Sequence, residues 1–239
     1  MNWDDLRLEH AEALLRLAGH PLPDRQRDGD AGFVQGLLDG LCELSSRDAL
    51  TGVGNRRAFL GTLTRELDRV ARLGESVMLL AVDIDHFKRV NDIHGHLAGD
   101  MVIRAVARTL QECVRPMDTV ARMGGEEFAV VLPNCGHAFG PMVAERIRAA
   151  VEALTIRHQH LALQVTVSCG GAFAPAWVRS SVEVWLERAD RQLYLAKQGG
   201  RNRVCIEEMA VSEVSPEEKG LLFAWAQPEG LMINPADAN

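Results

Sequence analysis

Two adjacent glycines followed by two adjacent glutamates, Gly124-Gly125-Glu126-Glu127-Phe128, lie between two short apolar runs and restrict the chain more than any other segment. The glycine pair suits a tight hairpin, so the flanking runs are read as strands that meet at this turn. Glycine lets the backbone approach a ligand closely. Two neighbouring carboxylates at a turn are costly unless a cation neutralises them. A hairpin tip would leave both acids pointing into a cleft.

Periodicity supplies the elements around the hairpin. Val77–Val82 is a short apolar run ending at Asp83 and reads as a buried strand. A helix over Asp100–Val114 presents Val102, Ile103, Val106 and Leu110 on one face. Beyond the hairpin the pattern gives a helix from about Phe139 to Leu154, a strand over Leu163–Ala172, a helix over Ser181–Lys197 and a last strand at Arg203–Glu207. The order strand–helix–strand–strand–helix–strand predicts an α+β domain of the split βαβ type, a two-layer sheet with helices on one face. That domain is expected over residues 46–208.

The segments on either side differ. In residues 1–45, one helical pattern runs from Trp3 to Leu17 and stops at Gly19-His20-Pro21. A polar, proline-bearing stretch continues through Asp30, and a second helix spans about Phe33–Leu44. Val34, Leu37, Leu41 and Leu44 form a narrow stripe near heptad spacing, which marks a helix that pairs with another. It either packs on its own domain or serves as a dimer stalk. After the Asp48–Asn55 turn, Phe59, Leu60, Leu63, Leu67 and Val70 mark an amphipathic helix ending near Gly74. In residues 209–239, Ser215-Pro216-Glu217-Glu218 reads as a helix start. Leu221, Leu222, Phe223 and Trp225 make that short C-terminal helix apolar enough to dock on the domain or on a partner.

A net charge of -7 argues against a general nucleic-acid surface but not against a phosphate ligand held through a metal. Five widely spaced cysteines without a CxxC suit reduced thiols in a cytoplasmic protein. No apolar stretch approaches the roughly 20 residues that a membrane span needs, and no signal peptide is visible.

A second acidic group stands at the end of the first strand, in Asp83-Ile84-Asp85-His86-Phe87-Lys88. Strand ends converge at a sheet edge, so Asp83 is expected to face the hairpin acids across a metal. Oxygen-only ligands favour Mg²⁺ or Mn²⁺ over zinc.

The segment Arg122-Met123-Gly124-Gly125-Glu126-Glu127-Phe128 resembles the signature of the GGDEF domain family, the diguanylate cyclases, in its GGEEF form. Asp48-Ala-Leu-Thr-Gly-Val-Gly-Asn-Arg-Arg57 looks like the family's opening motif, with Val53 and Gly54 as minor variations. Asp83-Ile-Asp-His-Phe-Lys-Arg-Val-Asn-Asp92, followed by Gly95-His96 and Gly99-Asp100, looks like its metal and guanine block. Ala196-Lys197 through Gly200-Arg201-Asn202 looks like its closing motif. These blocks stand in family order from Asp48 to about Glu207.

The resemblance implies a palm-like fold and an enzyme that condenses two GTP into cyclic di-GMP. It implies metal ligands at Asp83, the Ile84 carbonyl, Glu126 and Glu127. Glu126 is also the candidate acceptor of the attacking 3′-hydroxyl proton. Lys88 would steady charge on the phosphates, with backbone amides near His86 and Phe87 cradling them. Lys197 and Arg201 would hold the terminal phosphates. Asn91 and Asp100 would read guanine, with His96 in the same block, and an aspartate at 100 favours GTP over ATP. Arg115 and Asp118 match the family's inhibitory site, where product suppresses turnover. Two bonds between two GTPs require two protomers face to face, hence a homodimer, and the Phe33–Leu44 helix is expected to control their meeting. Other readings are a silent receptor for GTP or cyclic di-GMP, a cyclase acting on one nucleotide, and an adaptor whose terminal helices bind a protein partner.

Overall fold

The computed structural model describes residues 6–158, 161–174 and 181–208. In chain order these form α1 (Glu9–Leu17), α2 (Arg25–Ser46), β1 (Gly54–Asn55), α3 (Arg56–Leu73), β2 (Met78–Ile84), α4 (Phe87–His94) and α5 (His96–Glu112). There follow β3 (Thr119–Gly124), β4 (Glu127–Leu132), α6 (Phe139–Glu152), β5 (Ile156–His158), β6 (Leu161–Leu163), β7 (Val167–Phe173), α7 (Val182–Gln198) and β8 (Val204–Ile206). The compact unit ends at Glu207, and the apolar helix expected after Ser215 lies outside the described residues.

Six strands form one sheet in the order β1-β3-β4-β2-β7-β8. Its centre, β3-β4-β2-β7, has the split βαβ order expected from the sequence. β2 pairs antiparallel with β4 on one side and β7 on the other, so its end is flanked on both sides.

The expectation of helices on one face is corrected. On one side Met78, Leu80, Val82 and Ile84 pack with α5 and α6 through Val102, Val106, Leu110, Ala144 and Ile147. On the other, Leu79, Ala129 and Val131 pack with α3 and α7 through Phe59, Leu63, Trp185 and Ala189. Successive residues of β2 point to opposite faces, and both sets are apolar, so each face needs a cover.

Other boundaries also differ. The polar stretch through Asp30 is partly helical: the Asp24 carboxylate accepts from the amides of Gln26 and Arg27 and starts α2 there, with a break at Gly29. The strand expected over Leu163–Ala172 is two, because β6 ends at Leu163 and β7 begins at Val167. α1 packs against α2 within the chain. Leu15 of α1 sits over Gly40 of α2, where a Cβ would come within 2.8 Å of its methyl, and both Leu15 and Leu37 are buried.

One close approach fixes α7 on the sheet. A Cβ at Gly170 of β7 would lie 2.0 Å from the Leu193 nitrogen and 2.4 Å from the Ala189 oxygen. Backbone therefore rests on backbone, and Trp185 ties the same layers by donating its indole N–H to the Ala172 carbonyl at 2.9 Å. Lys197, in the last turn of α7, is thereby carried to the end of β2.

Candidate active site

Asp83 stands opposite Glu127 in the β2–β4 register, so the two carboxylates leave the same sheet face at one end. Glu126 sits at the hairpin tip, and its carbonyl accepts the Ile84 amide at 3.3 Å. The turn needs Gly124 at φ 150° and Gly125 at φ 49°. Arg122 braces it, donating from Nε to the Gly125 carbonyl at 3.0 Å and from Nη1 to both Asp48 carboxylate oxygens at 3.3 Å. The opening motif is thus bolted to the acidic hairpin. Burial works against Asp48, but the Thr51 hydroxyl and Arg122 hold its carboxyl below the usual range.

Asp83 is only 6 % exposed. Burial pushes its carboxyl above the usual range, with Glu126 and Glu127 adding to the push, while Lys197 opposes them with its ammonium 2.8 Å from Oδ2. Glu126 is half-buried and Glu127 exposed. Glu127, Arg56, Asp190 and Lys197 line a cavity of about 280 Å³ beside this corner. Among the described residues, no three acidic, histidine or cysteine side chains are drawn together into a ready metal cage. The chemistry of the corner still fits a hard divalent ion: the donors are oxygens only, and the buried carboxylate already takes a cation.

The residues expected to hold phosphate and guanine at His86–Asp100 fall at the start of α4 and on α4 and α5. His86 adopts φ 56° at the start of α4, which turns the chain out of β2 and leaves the first amides of the helix, Phe87 and Lys88 among them, without helical partners. Lys88 and His96 are exposed, while Asn91 and Asp100 are half-buried. Gly95, at φ 80°, joins the two helices. Gly99 was not singled out by sequence reasoning for any role of its own, yet a Cβ there would lie 2.0 Å from the Asn91 Oδ1 and 3.1 Å from the Phe87 ring. The missing side chain is the space that the Asn91 amide occupies. If Asn91 reads guanine as the resemblance implies, Gly99→Ala raises the KM for GTP roughly tenfold, about 1.4 kcal/mol of lost binding, while thermal stability stays level. Alanine is the better helix former, so an unchanged KM in steady-state kinetics would contradict this placement of Asn91.

Asp85 is the main residue that sequence reasoning missed. It is 4 % exposed and accepts from the Ser168 hydroxyl at 2.6 Å, the Thr166 hydroxyl at 2.7 Å and the Asn202 amide at 3.0 Å. It therefore pins the closing motif to β2. Asn202 is further held by Arg148 and Glu152, and Arg201, next to it, sits exposed at φ 63°.

Arg115 and Asp118 are brought together, but on each other. Arg115 donates from Nη2 to Asp118 Oδ1 at 2.8 Å and from Nε to Oδ2 at 3.1 Å, and also to the Pro133 carbonyl. Both line a cavity of about 450 Å³ with Arg47, Gln111 and Val120.

Residues 45–203 match the family model described as "Diguanylate cyclase, GGDEF domain". The chain belongs to the GGDEF family. It is 43% identical over 176 residues to Diguanylate cyclase DgcP of Pseudomonas aeruginosa, covering 73% of this chain and 26% of that one. It is 40% identical over 181 residues to Response regulator PleD of Caulobacter vibrioides, covering 75% of this chain and 40% of that one. The chain thus spans less than half the length of these curated relatives. Among solved structures, the coiled coil and GGDEF domain of DgcB from Caulobacter crescentus, in complex with c-di-GMP, superposes with a TM-score of 0.70 at 32% identity. That match covers 82% of this chain and all of the other (100%). The palm-like GGDEF fold accounts for the split βαβ centre. Among the described residues, no helix is long and apolar enough to cross a membrane.

Proposed function

We propose that the protein is a diguanylate cyclase that condenses two GTP into cyclic di-GMP and two pyrophosphates. The observation that carries this reading is the cross-strand pair of Asp83 and Glu127 at the end of β2, with Asp83 buried and paired to the Lys197 ammonium. Asp83, the Ile84 carbonyl, Glu126 and Glu127 would hold Mg²⁺ or Mn²⁺, which when bound neutralises phosphate charge. Glu126 accepts the proton of the 3′-hydroxyl as that oxygen attacks the α-phosphorus of the other GTP and pyrophosphate leaves. A second such transfer closes the ring. Lys88 and the amides at His86 and Phe87 steady the phosphates, and Lys197 and Arg201 hold the terminal ones. Asn91 and Asp100, beside His96, read guanine: a carboxylate accepts from its N1–H and 2-amino group together, and adenine offers no such donor pair.

One domain presents one GTP, so the reaction needs a homodimer. Because Leu37 is already buried in the single chain, α2 would bring the protomers together through its exposed positions. The same pair of helices is the surface offered to a protein partner. With no membrane span among the described residues, a cytoplasmic setting, where GTP is plentiful, fits the reading.

Product inhibition belongs to the proposal as well. Arg115 and Asp118 would have to open from each other to take cyclic di-GMP, the arginine on phosphate or guanine and the aspartate on the guanine donors. Arg115→Ala is expected to weaken inhibition by added cyclic di-GMP at least about tenfold, with the initial rate largely intact. An unmoved inhibition curve would remove this site from the account.

The function itself is tested by incubating the purified protein with GTP, ATP or both in Mg²⁺ and reading products by mass spectrometry. Cyclic di-GMP from GTP alone is the expected product. Bound but unreacted nucleotide would favour a receptor instead.

A further inference from the structure

We infer that Lys197 is a placeholder for the metal: its ammonium occupies the Asp83 corner until a divalent ion displaces it, and the released side chain then turns to the triphosphate. The inference rests on the metal assignment of Asp83 made above.

Two observations carry it. The Lys197 Nζ lies 2.8 Å from Asp83 Oδ2, while the side chains are 33 % and 9 % exposed, so the carboxylate is fixed and the ammonium reaches solvent. A divalent ion held by Asp83 would compete with that ammonium for the same carboxylate, and two cations on one half-buried group repel. The structure also offers another place for it: Ala196 is fully buried and anchors the helix, and the cavity that Lys197 lines holds Asp190, a counter-charge outside the metal set.

This arrangement resolves two demands on one corner. Without metal, Asp83 faces Glu126 and Glu127, and an internal cation keeps the strand ends from repelling. With metal, the same lysine becomes available to phosphate oxygens near the ion. Metal and triphosphate are then linked, since each favours the position of Lys197 that suits the other.

The chain has only three lysines, Lys88, Lys197 and Lys219, which makes the test direct. The full chain is reductively methylated with ¹³C, which preserves the charge, and the Lys197 signal is assigned with Lys197→Arg. On titration with Mg²⁺ and no nucleotide, the Lys197 signal should move to a new saturating position while that of Lys219 stays. In parallel, Mn²⁺ binding is followed by electron paramagnetic resonance in the parent chain, Lys197→Met and Asp83→Asn. Lys197→Met should bind Mn²⁺ about fivefold tighter than the parent, the scale of removing one competing ion pair. Asp83→Asn should lose the site. If Mn²⁺ binding depends on Asp83 but the Lys197 signal does not move and Lys197→Met binds no tighter, the placeholder role is overturned and the metal assignment stands. If Asp83→Asn binds Mn²⁺ as the parent does, the metal assignment fails and the inference falls with it.

Discussion

Glu126→Ala is expected to turn GTP over at least about a thousandfold more slowly while folding as the parent does. The side chain is half-buried at a hairpin tip and has no role in the core, so its loss leaves the sheet intact. The turn is shaped by Gly124 and Gly125 and braced by Arg122, and the carbonyl that accepts the Ile84 amide belongs to the backbone. What disappears, on the proposed mechanism, is the carboxylate that would take the 3′-hydroxyl proton and share a metal with Asp83. Initial rates and a circular dichroism melt, measured together, separate the two effects. A variant that keeps a tenth of the parent's rate would move the chemistry away from this hairpin.

The largest effect on stability is expected at Gly170. Even the smallest side chain there would need the Leu193 nitrogen, 2.0 Å from its Cβ, to retreat, and that atom belongs to the backbone of α7. No rotamer change relieves such a contact. Gly170→Ala is therefore expected to cost about 3 kcal/mol, the upper end of overpacking penalties, read as a lowered midpoint of urea unfolding. Because α7 carries Lys197, activity should fall further than the unfolded fraction accounts for. A midpoint within experimental error of the parent would mean that α7 is not seated on β7 as described.

The hairpin and its two acids were legible because a glycine pair between apolar runs leaves few alternatives. Asp83 was legible as the end of a strand. α4 was not, because it is eight residues long and carries Lys88, Arg89, Asn91, Asp92 and His94, which leave Phe87, Val90 and Ile93 too few to mark a face. The start of α2 was hidden for a different reason: its helix begins at a side-chain cap, Asp24, and passes a break at Gly29, and neither shows in apolar spacing. The covered second sheet face could have been read from the unbroken apolar run Val77–Val82, which leaves no polar face for solvent.

Asp85 looks like Asp83 in sequence, two residues apart in one acidic block. The strand ends at Ile84, and Asp85 turns onto the Thr166 and Ser168 hydroxyls and the Asn202 amide. Only the fold separates the carboxylate that holds the scaffold from the one that pairs with Lys197. Likewise the Arg115–Asp118 spacing was plain, but their closure on each other depends on the turn that brings the Asp118 carboxylate back to the Arg115 amide at 2.7 Å.

The ratio of pyrophosphate released to cyclic dinucleotide formed tests the central claim most directly. With GTP and Mg²⁺ as the only small molecules, the account predicts two pyrophosphates for each cyclic di-GMP, and neither product once the metal is chelated. One pyrophosphate for each cyclic mononucleotide, or GDP and inorganic phosphate in their place, would contradict it.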